Sequence, residues 1–252
     1  MNMQYLLEDL PPIEKNVDIV FVIDATKSME QMIDIIQTSV VSFPDKLLAV
    51  MRAENMLINN LRFKVIFFRD FYYDGNYAYN ESKFFVMPNE KMDFNEYLNR
   101  IYAAGGGDDP ESGLEALAMA MKSDFIQEGE KKRHIIVLFT DAAAHPFEDY
   151  DKLTAEAAKK GCKPTMYPEN MPKDIEEFYN VWVGNAEQDM SDFSKDVKTL
   201  DETGRRLVLF TPNEYPWVDM EIELSYIVRN DFSAIKSVDD IVEAIIFGYY
   251  GY

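Results

Sequence analysis

Two kinds of hydrophobic run alternate along this chain. Residues 17–23 (VDIVFVI), 61–68 (LRFKVIFF) and 134–140 (HIIVLFT) are short, almost continuous apolar stretches rich in β-branched and aromatic side chains, the pattern of strands covered on both faces. Between them apolar residues recur at helical spacing. Met29, Met32, Ile35, Ile36 and Val40 mark a helix over 28–51, which Pro44 is predicted to break or kink. Further helices are predicted over 94–103, 112–123 (with Pro110 at its start), 150–160, 174–183, 188–202 and 238–247. Residues 83–87, 206–210 and, more weakly, 225–229 read as strands. The 83–87 strand follows a turn-rich segment, 70–82, and so pairs antiparallel at a sheet edge. Strands alternating with helices, without a repeat or linker, predict one α/β domain over 1–252: a doubly wound, mainly parallel sheet with one antiparallel edge strand and helices on both faces. Residues 1–16 read as a lead-in and 142–173 as an irregular insertion carrying one short helix.

Charge narrows the function. Lys and Arg number 25 against 45 Asp and Glu, a net charge of −20. Such a field repels phosphate backbones and anionic lipid, so neither nucleic acid nor a membrane surface is an expected partner, whereas cations are. Cys162 is the only cysteine, which excludes an intrachain disulfide and favours a reducing compartment. The start, MNMQYLLEDLPPIEK, lacks the basic and apolar regions of a signal peptide, and no apolar run approaches the ~20 residues of a membrane span. The expectation is a soluble, cytoplasmic protein, monomeric or weakly oligomeric.

Chemistry concentrates where parallel sheets build sites, at the carboxyl ends of strands. Asp24 ends the first strand and opens DATKS; Asp141 ends HIIVLFT; Asp108 lies in the loop GGGDDPE (105–111) just before a helix. With the hydroxyls of Thr26 and Ser28, these supply oxygen donors without a His or Cys cluster, a set suited to Mg²⁺ or Mn²⁺ and less specifically to Ca²⁺. Each piece alone is equally explained by helix capping; it is their joint occurrence in three strand-end loops that points to a metal.

The segments VDIVFVIDATKSM, GGGDDPESGLEAL and RHIIVLFTDAAAH resemble the three metal-site segments of the von Willebrand factor A (vWA) domain family, and their order and spacing cover most of the chain. Bacterial intracellular members with a GGGD-x-PE loop look most similar. The resemblance implies a vWA, Rossmann-like fold and a metal-ion-dependent adhesion site (MIDAS) formed by Asp24, Thr26, Ser28, Asp108 and Asp141. Asp108 stands where adhesion-type members have a threonine, and three ionised Asp around Mg²⁺ leave a net charge near −1.

The segment 69–79 (RDFYYDGNYAY) is expected at the same edge. Tyr72, Tyr73, Tyr77 and Tyr79 are candidate contacts for a partner protein, since tyrosine suits surfaces half wet and half packed, and packing on the hairpin's own core is the even alternative. His145 is close enough in sequence to Asp141 to reach the rim, or to brace the loop. Arg69 and Asp70 read as an internal ion pair, His134 as a residue preceding its strand, and Trp182, Trp217, Met119 and Met121 as core. No catalytic motif is found: a second Asp two residues after Asp24, a phosphate-binding Gly-x4-Gly-Lys, a Gly-x-Ser-x-Gly elbow and a His-Glu-x-x-His are all missing from the sequence. The expected function is therefore a divalent-metal-dependent protein-binding module, an intracellular adaptor rather than an enzyme. The alternatives are a metal-dependent phosphoryl-transfer or phosphoacceptor protein using the strand-end aspartates, and a scaffold with an empty site.

Overall fold

The computed structural model describes residues 15–53, 58–107, 109–162, 167–184, 191–197 and 200–250. Its seven-stranded sheet contains β1 (Lys15–Asp24), β2 (Asn60–Phe68), β3 (Tyr79–Glu81), β4 (Phe85–Met87), β5 (Lys131–Phe139), β6 (Arg205–Thr211) and β7 (Ile227–Asp231). The order is β3-β2-β1-β5-β6-β7, with β4 also on β2; β1, β2, β5, β6 and β7 are parallel, whereas β3 and β4 pair antiparallel with β2. The expected single edge strand is thus two short ones, separated where Ser82 turns its hydroxyl inward to accept from Val65 N at 2.9 Å.

Period-two alternation in β1 splits the core into two layers. Val17, Ile19, Phe21 and Ile23 face α1 (Ile33–Ala53), α2 (Lys91–Leu98) and α8 (Val238–Tyr250), where Phe21 meets Phe43 and Phe63 edge-on at 6.0 and 5.5 Å. Val20 and Val22 face α3 (Gly113–Met121), α5 (Ile175–Trp182) and α7 (Trp217–Glu223). Two polar residues share that second face. Asp18 is buried and held by Arg62 through two bonds of 2.8 and 2.6 Å, and Asp24 closes the strand.

Trp182 and Trp217 are fully buried, as expected, and their indoles donate to Ser225 O and Ala142 O. His134 lies inside β5, stacked on Phe125, its two ring nitrogens engaged by Ile126 O and Asp201 N. Pro44 does not end α1, which is continuous from Ile33 to Ala53; the sequence rule overstates its effect here because the chain gives up a single N–H within a long, well-packed helix. The helix expected over 94–103 stops at Leu98. Of that expected over 188–202, Asp192–Asp196 is helical as α6, while 188–190 and 198–199 lie outside the described residues. The helix α4 (Tyr150–Lys159) appears as expected, and α7 was not foreseen.

Candidate metal centre

The register of the two central strands sets the site. Ile23 pairs with Phe139, so Asp24 and Thr140 leave the sheet side by side. Asp24 is completely buried. Its Oδ1 accepts from Thr26 N and Thr26 Oγ1 at 2.8 and 2.7 Å, and its Oδ2 accepts from Thr140 Oγ1 at 2.6 Å. These hydroxyls are spent on Asp24 and none caps a helix: Thr26, at the N-cap position of the 3-10 turn Lys27–Gln31, makes no capping bond with its side chain.

From Asp24 a string of oxygens runs outward. Thr26 Oγ1 lies 3.1 Å from Ser28 Oγ, which donates to Asp141 Oδ1 at 2.9 Å. A hydroxyl has one proton. The Thr26 proton is committed to Asp24 and the Ser28 proton to Asp141, so the contact between the two hydroxyl oxygens has no proton of its own and sets lone pair against lone pair. Burial pushes the Asp24 carboxyl up to about 6 against the opposing pull of the Thr140 and Thr26 bonds, with Asp141 adding to the rise; burial also raises Asp141. The site thus has an excess of negative charge and oxygen lone pairs.

The glycine loop roofs it. Gly105 O accepts from Lys27 N at 3.2 Å, and Gly106 N donates to Asp74 Oδ2 at 2.9 Å. Gly105 and Gly106 have φ of +70° and +80°, and a Cβ on Gly105 would stand 1.9 Å from Asp74 Oδ1, so this approach requires glycine. Thr26, Ser28, Gly105–Gly107, Asp109, Glu111, Asp141 and neighbouring atoms enclose a cavity of about 430 Å³. The structure brings together four of the five expected metal residues, Asp24, Thr26, Ser28 and Asp141; Asp108 lies outside the described residues. Among the described residues no three His, Cys, Asp or Glu side chains are arranged to hold an ion by themselves. The donor set is instead mixed, two carboxylates and two hydroxyls.

Two residues of the site were missed. Thr140 is the residue directly after β5, and its role follows only from the β1–β5 register. Glu111 lines the cavity with 6% of its surface exposed; burial first, then Asp24, Asp70, Asp74 and Asp109, push its carboxyl up to about 10. Its position in GGGDDPE was the available signal.

The tyrosines divide. Tyr72 is fully buried against His145, Tyr150 and Tyr167, with ring centroids 5.5, 6.4 and 5.7 Å away, and its hydroxyl faces Glu115. His145 is buried with it, Nε2 lying 3.7 Å from Asp70 Oδ2. Neither Tyr72 nor His145 reaches a partner-facing surface; both brace the interior, because the loop after β5 folds inward over α3. Tyr79 is half-buried on Phe71 and donates to Glu81. Tyr73 is half-buried, with Lys160 Nζ over its ring at 4.6 Å. Tyr77 is 70% exposed, as is much of Tyr102 at 59%. Arg69 is not paired with Asp70: its guanidinium donates to the carbonyls of Ala25, Tyr77 and Tyr102, while Asp70 accepts from Tyr72 N. One buried side chain therefore ties together the first metal loop, the hairpin and the segment leading to the glycines.

Residues 77–177 match the family model of the von Willebrand factor A domain. Among solved structures, the pilus adhesin SpaC from Lactobacillus rhamnosus GG aligns over 94% of this chain and 32% of its own, with a TM-score of 0.50 and 14% identity. The chain has the vWA fold, and its residues 77–177 match that family's model. Proximal thread matrix protein 1 from the mussel byssus aligns over 94% of this chain and 49% of its own (TM-score 0.49, 12% identity), and a form of it described with a zinc-occupied MIDAS motif over 92% and 46% (TM-score 0.46, 12% identity). At such identity the likeness to the adhesin shows the fold alone. This chain spans about a third to a half of those proteins. A search of curated proteins finds no match. Among the described residues no helix is long and apolar enough to cross a membrane.

Proposed function

We propose that the chain is a divalent-cation-dependent protein-binding module that does no chemistry of its own. The observation that carries this reading is the 3.1 Å contact between Thr26 Oγ1 and Ser28 Oγ, two hydroxyls whose protons are committed elsewhere, flanked by Asp24 and Asp141. A cation relieves both the facing lone pairs and the excess negative charge, so the residues present fit one. All the donors are hard oxygens, which favours Mg²⁺ or Mn²⁺. A bound ion supplies fixed positive charge at the rim. Thr26, Ser28 and Asp141 would hold it, and Asp24, saturated by three hydrogen bonds, orients the hydroxyls.

Protein binding is supported by the exposed Tyr77 and Tyr102 beside the site, both held through Arg69, and by the description of one structural neighbour as an adhesin. An adaptor role inside the cell fits the single cysteine and the charge of −20. The phosphoacceptor alternative gains nothing from the geometry: both Asp24 oxygens are buried and occupied, a poor arrangement for a nucleophile. The test is isothermal titration with Mg²⁺ and Mn²⁺ at low salt, followed by a pull-down from native lysate with and without chelator. One binding site and chelator-sensitive capture are expected. Absence of binding at millimolar metal overturns the reading.

A further inference from the structure

The wall of the same cavity contains a carboxylate that the metal-site pattern leaves unused. Glu111 is fixed by its backbone: its N–H donates to Ala143 O at 3.0 Å and its carbonyl accepts from His145 N at 3.0 Å, in a parallel bridge with the segment that follows Asp141. The side chain therefore hangs on the third metal loop, although it belongs in sequence to the second. It is more than nine-tenths buried, and its Oε2 has no hydrogen-bond partner. It lines the cavity beside Thr26: a Cβ placed on Gly106 would stand 2.7 Å from Glu111 Oε1 and 3.2 Å from Thr26 Cβ, so carboxylate and threonine lie together under the same glycine. The charged groups acting on Glu111 are Asp24, Asp70, Asp74 and Asp109, all acidic. Lys27, which also lines the cavity, is turned outward to Glu30.

A buried carboxyl whose Oε2 has no hydrogen-bond partner must either keep a proton or meet a cation that takes the proton's place. We propose that Glu111 is a further cation-facing carboxylate of this site, meeting the ion from the buried side. The inference rests on the metal reading given above and deepens it. It places two ion-facing carboxylates, Asp141 and Glu111, in front of the hydrogen-bonded Asp24, so that with all three ionised a loaded divalent site would carry a net charge near −1 before Asp108 is counted. Such a site favours a partner that offers a neutral or basic group to the rim over one that offers a carboxylate.

The experiment measures Mn²⁺ binding to the full chain by electron paramagnetic resonance of the free ion, with the melting temperature followed with and without metal, for wild type, Asp141→Ala, Glu111→Gln and Glu111→Asp. Wild type is expected to bind. Glu111→Gln keeps the shape and removes the charge; it is expected to bind at least tenfold more weakly and to melt without metal at the wild-type temperature or above. Glu111→Asp is expected to recover part of the affinity, which a purely structural role for the side chain would not produce. Wild-type affinity in a folded Glu111→Gln protein overturns the proposal while leaving the metal site standing. If Glu111→Gln fails to fold, wild-type affinity or none in Glu111→Asp overturns it equally. No Mn²⁺ bound by wild type removes the metal reading itself, and this proposal with it.

Discussion

Thr140 hands its hydroxyl proton to Asp24 across the seam between the two central strands, at 2.6 Å, with the acceptor completely buried. The bond exists because parallel pairing of β1 and β5 brings both chain ends to one point, and it removes Asp24 Oδ2 from competition for anything else. Hydrogen bonds to charged groups contribute about 1.5–3 kcal/mol. Thr140→Val is therefore expected to lower the free energy of unfolding by roughly 2 kcal/mol and to weaken Mn²⁺ binding. Urea unfolding and metal titration on the same sample check both.

Asp141 is partly exposed, and its Oδ1 accepts from Ser28 Oγ. Asp141→Ala is expected to abolish cation binding while leaving a cooperative thermal transition within a few degrees of wild type, since like charge is removed from a crowded site. A variant that unfolds instead makes Asp141 a structural residue.

Acidity carries a signature of the buried acids. Burial raises Glu115 to about 7, with Asp70 adding to the rise and His145 and Tyr72 opposing it. Between the ordinary glutamate value and 7 the folded chain holds a proton that the unfolded chain has released, so stability falls as pH climbs through that window, by on the order of 3 kcal/mol for this group. Exposed Asp240 is shifted the other way by the N–H groups of Lys236 and Ser237 and the Ser237 hydroxyl, so its contribution disappears only as pH drops below the ordinary aspartate range. Metal-free protein should be most stable near pH 4–5, and Glu115→Gln should flatten the decline towards neutrality. Denaturation midpoints at half-unit pH intervals in chelator test this; stability that rises steadily from pH 4.5 to 7 contradicts it.

The tyrosines give opposite expectations. Tyr77→Ala and Tyr102→Ala remove exposed rings and should cost about 2 kcal/mol, roughly thirtyfold, in partner binding with metal affinity unchanged. Tyr72→Ala opens a void in a closed aromatic cluster and should cost about 3–5 kcal/mol of stability. Captured protein and melting temperature, measured side by side, separate the two classes.

Fold and site were legible to different depths. The buried strands announced themselves, because a strand covered on both faces is apolar at nearly every position; in VDIVFVI only Asp18 departs, and Arg62 pairs with it. That Asp24, Thr26, Ser28 and Asp141 come together was legible, because alternate residues of one turn and the end of a neighbouring parallel strand must meet. Register was not legible. It takes the pairing of Ile23 with Phe139 to show that Thr140 serves Asp24, and the bridge of Glu111 to Ala144 to bring that carboxylate under the glycines. The direction a tyrosine takes in an irregular hairpin is equally non-local: Tyr72 and Tyr73 are adjacent, and what separates them is the later segment carrying Tyr150 and Tyr167, which closes over the first.

Asp74 Oδ2 accepts from both Asp70 N and Gly106 N, at 3.1 and 2.9 Å, so one carboxylate oxygen belongs to the tyrosine hairpin and to the roof of the candidate site at once. Ligands that press on the two ends of such a strap cannot be energetically independent. Whatever factor the ion contributes to the grip on a partner docked at Tyr77, the partner must return to the ion. On the proposed reading the coupling runs both ways: a saturating partner would hold metal at concentrations where the free chain releases it, and a chelator would loosen a complex whose contacts it never touches.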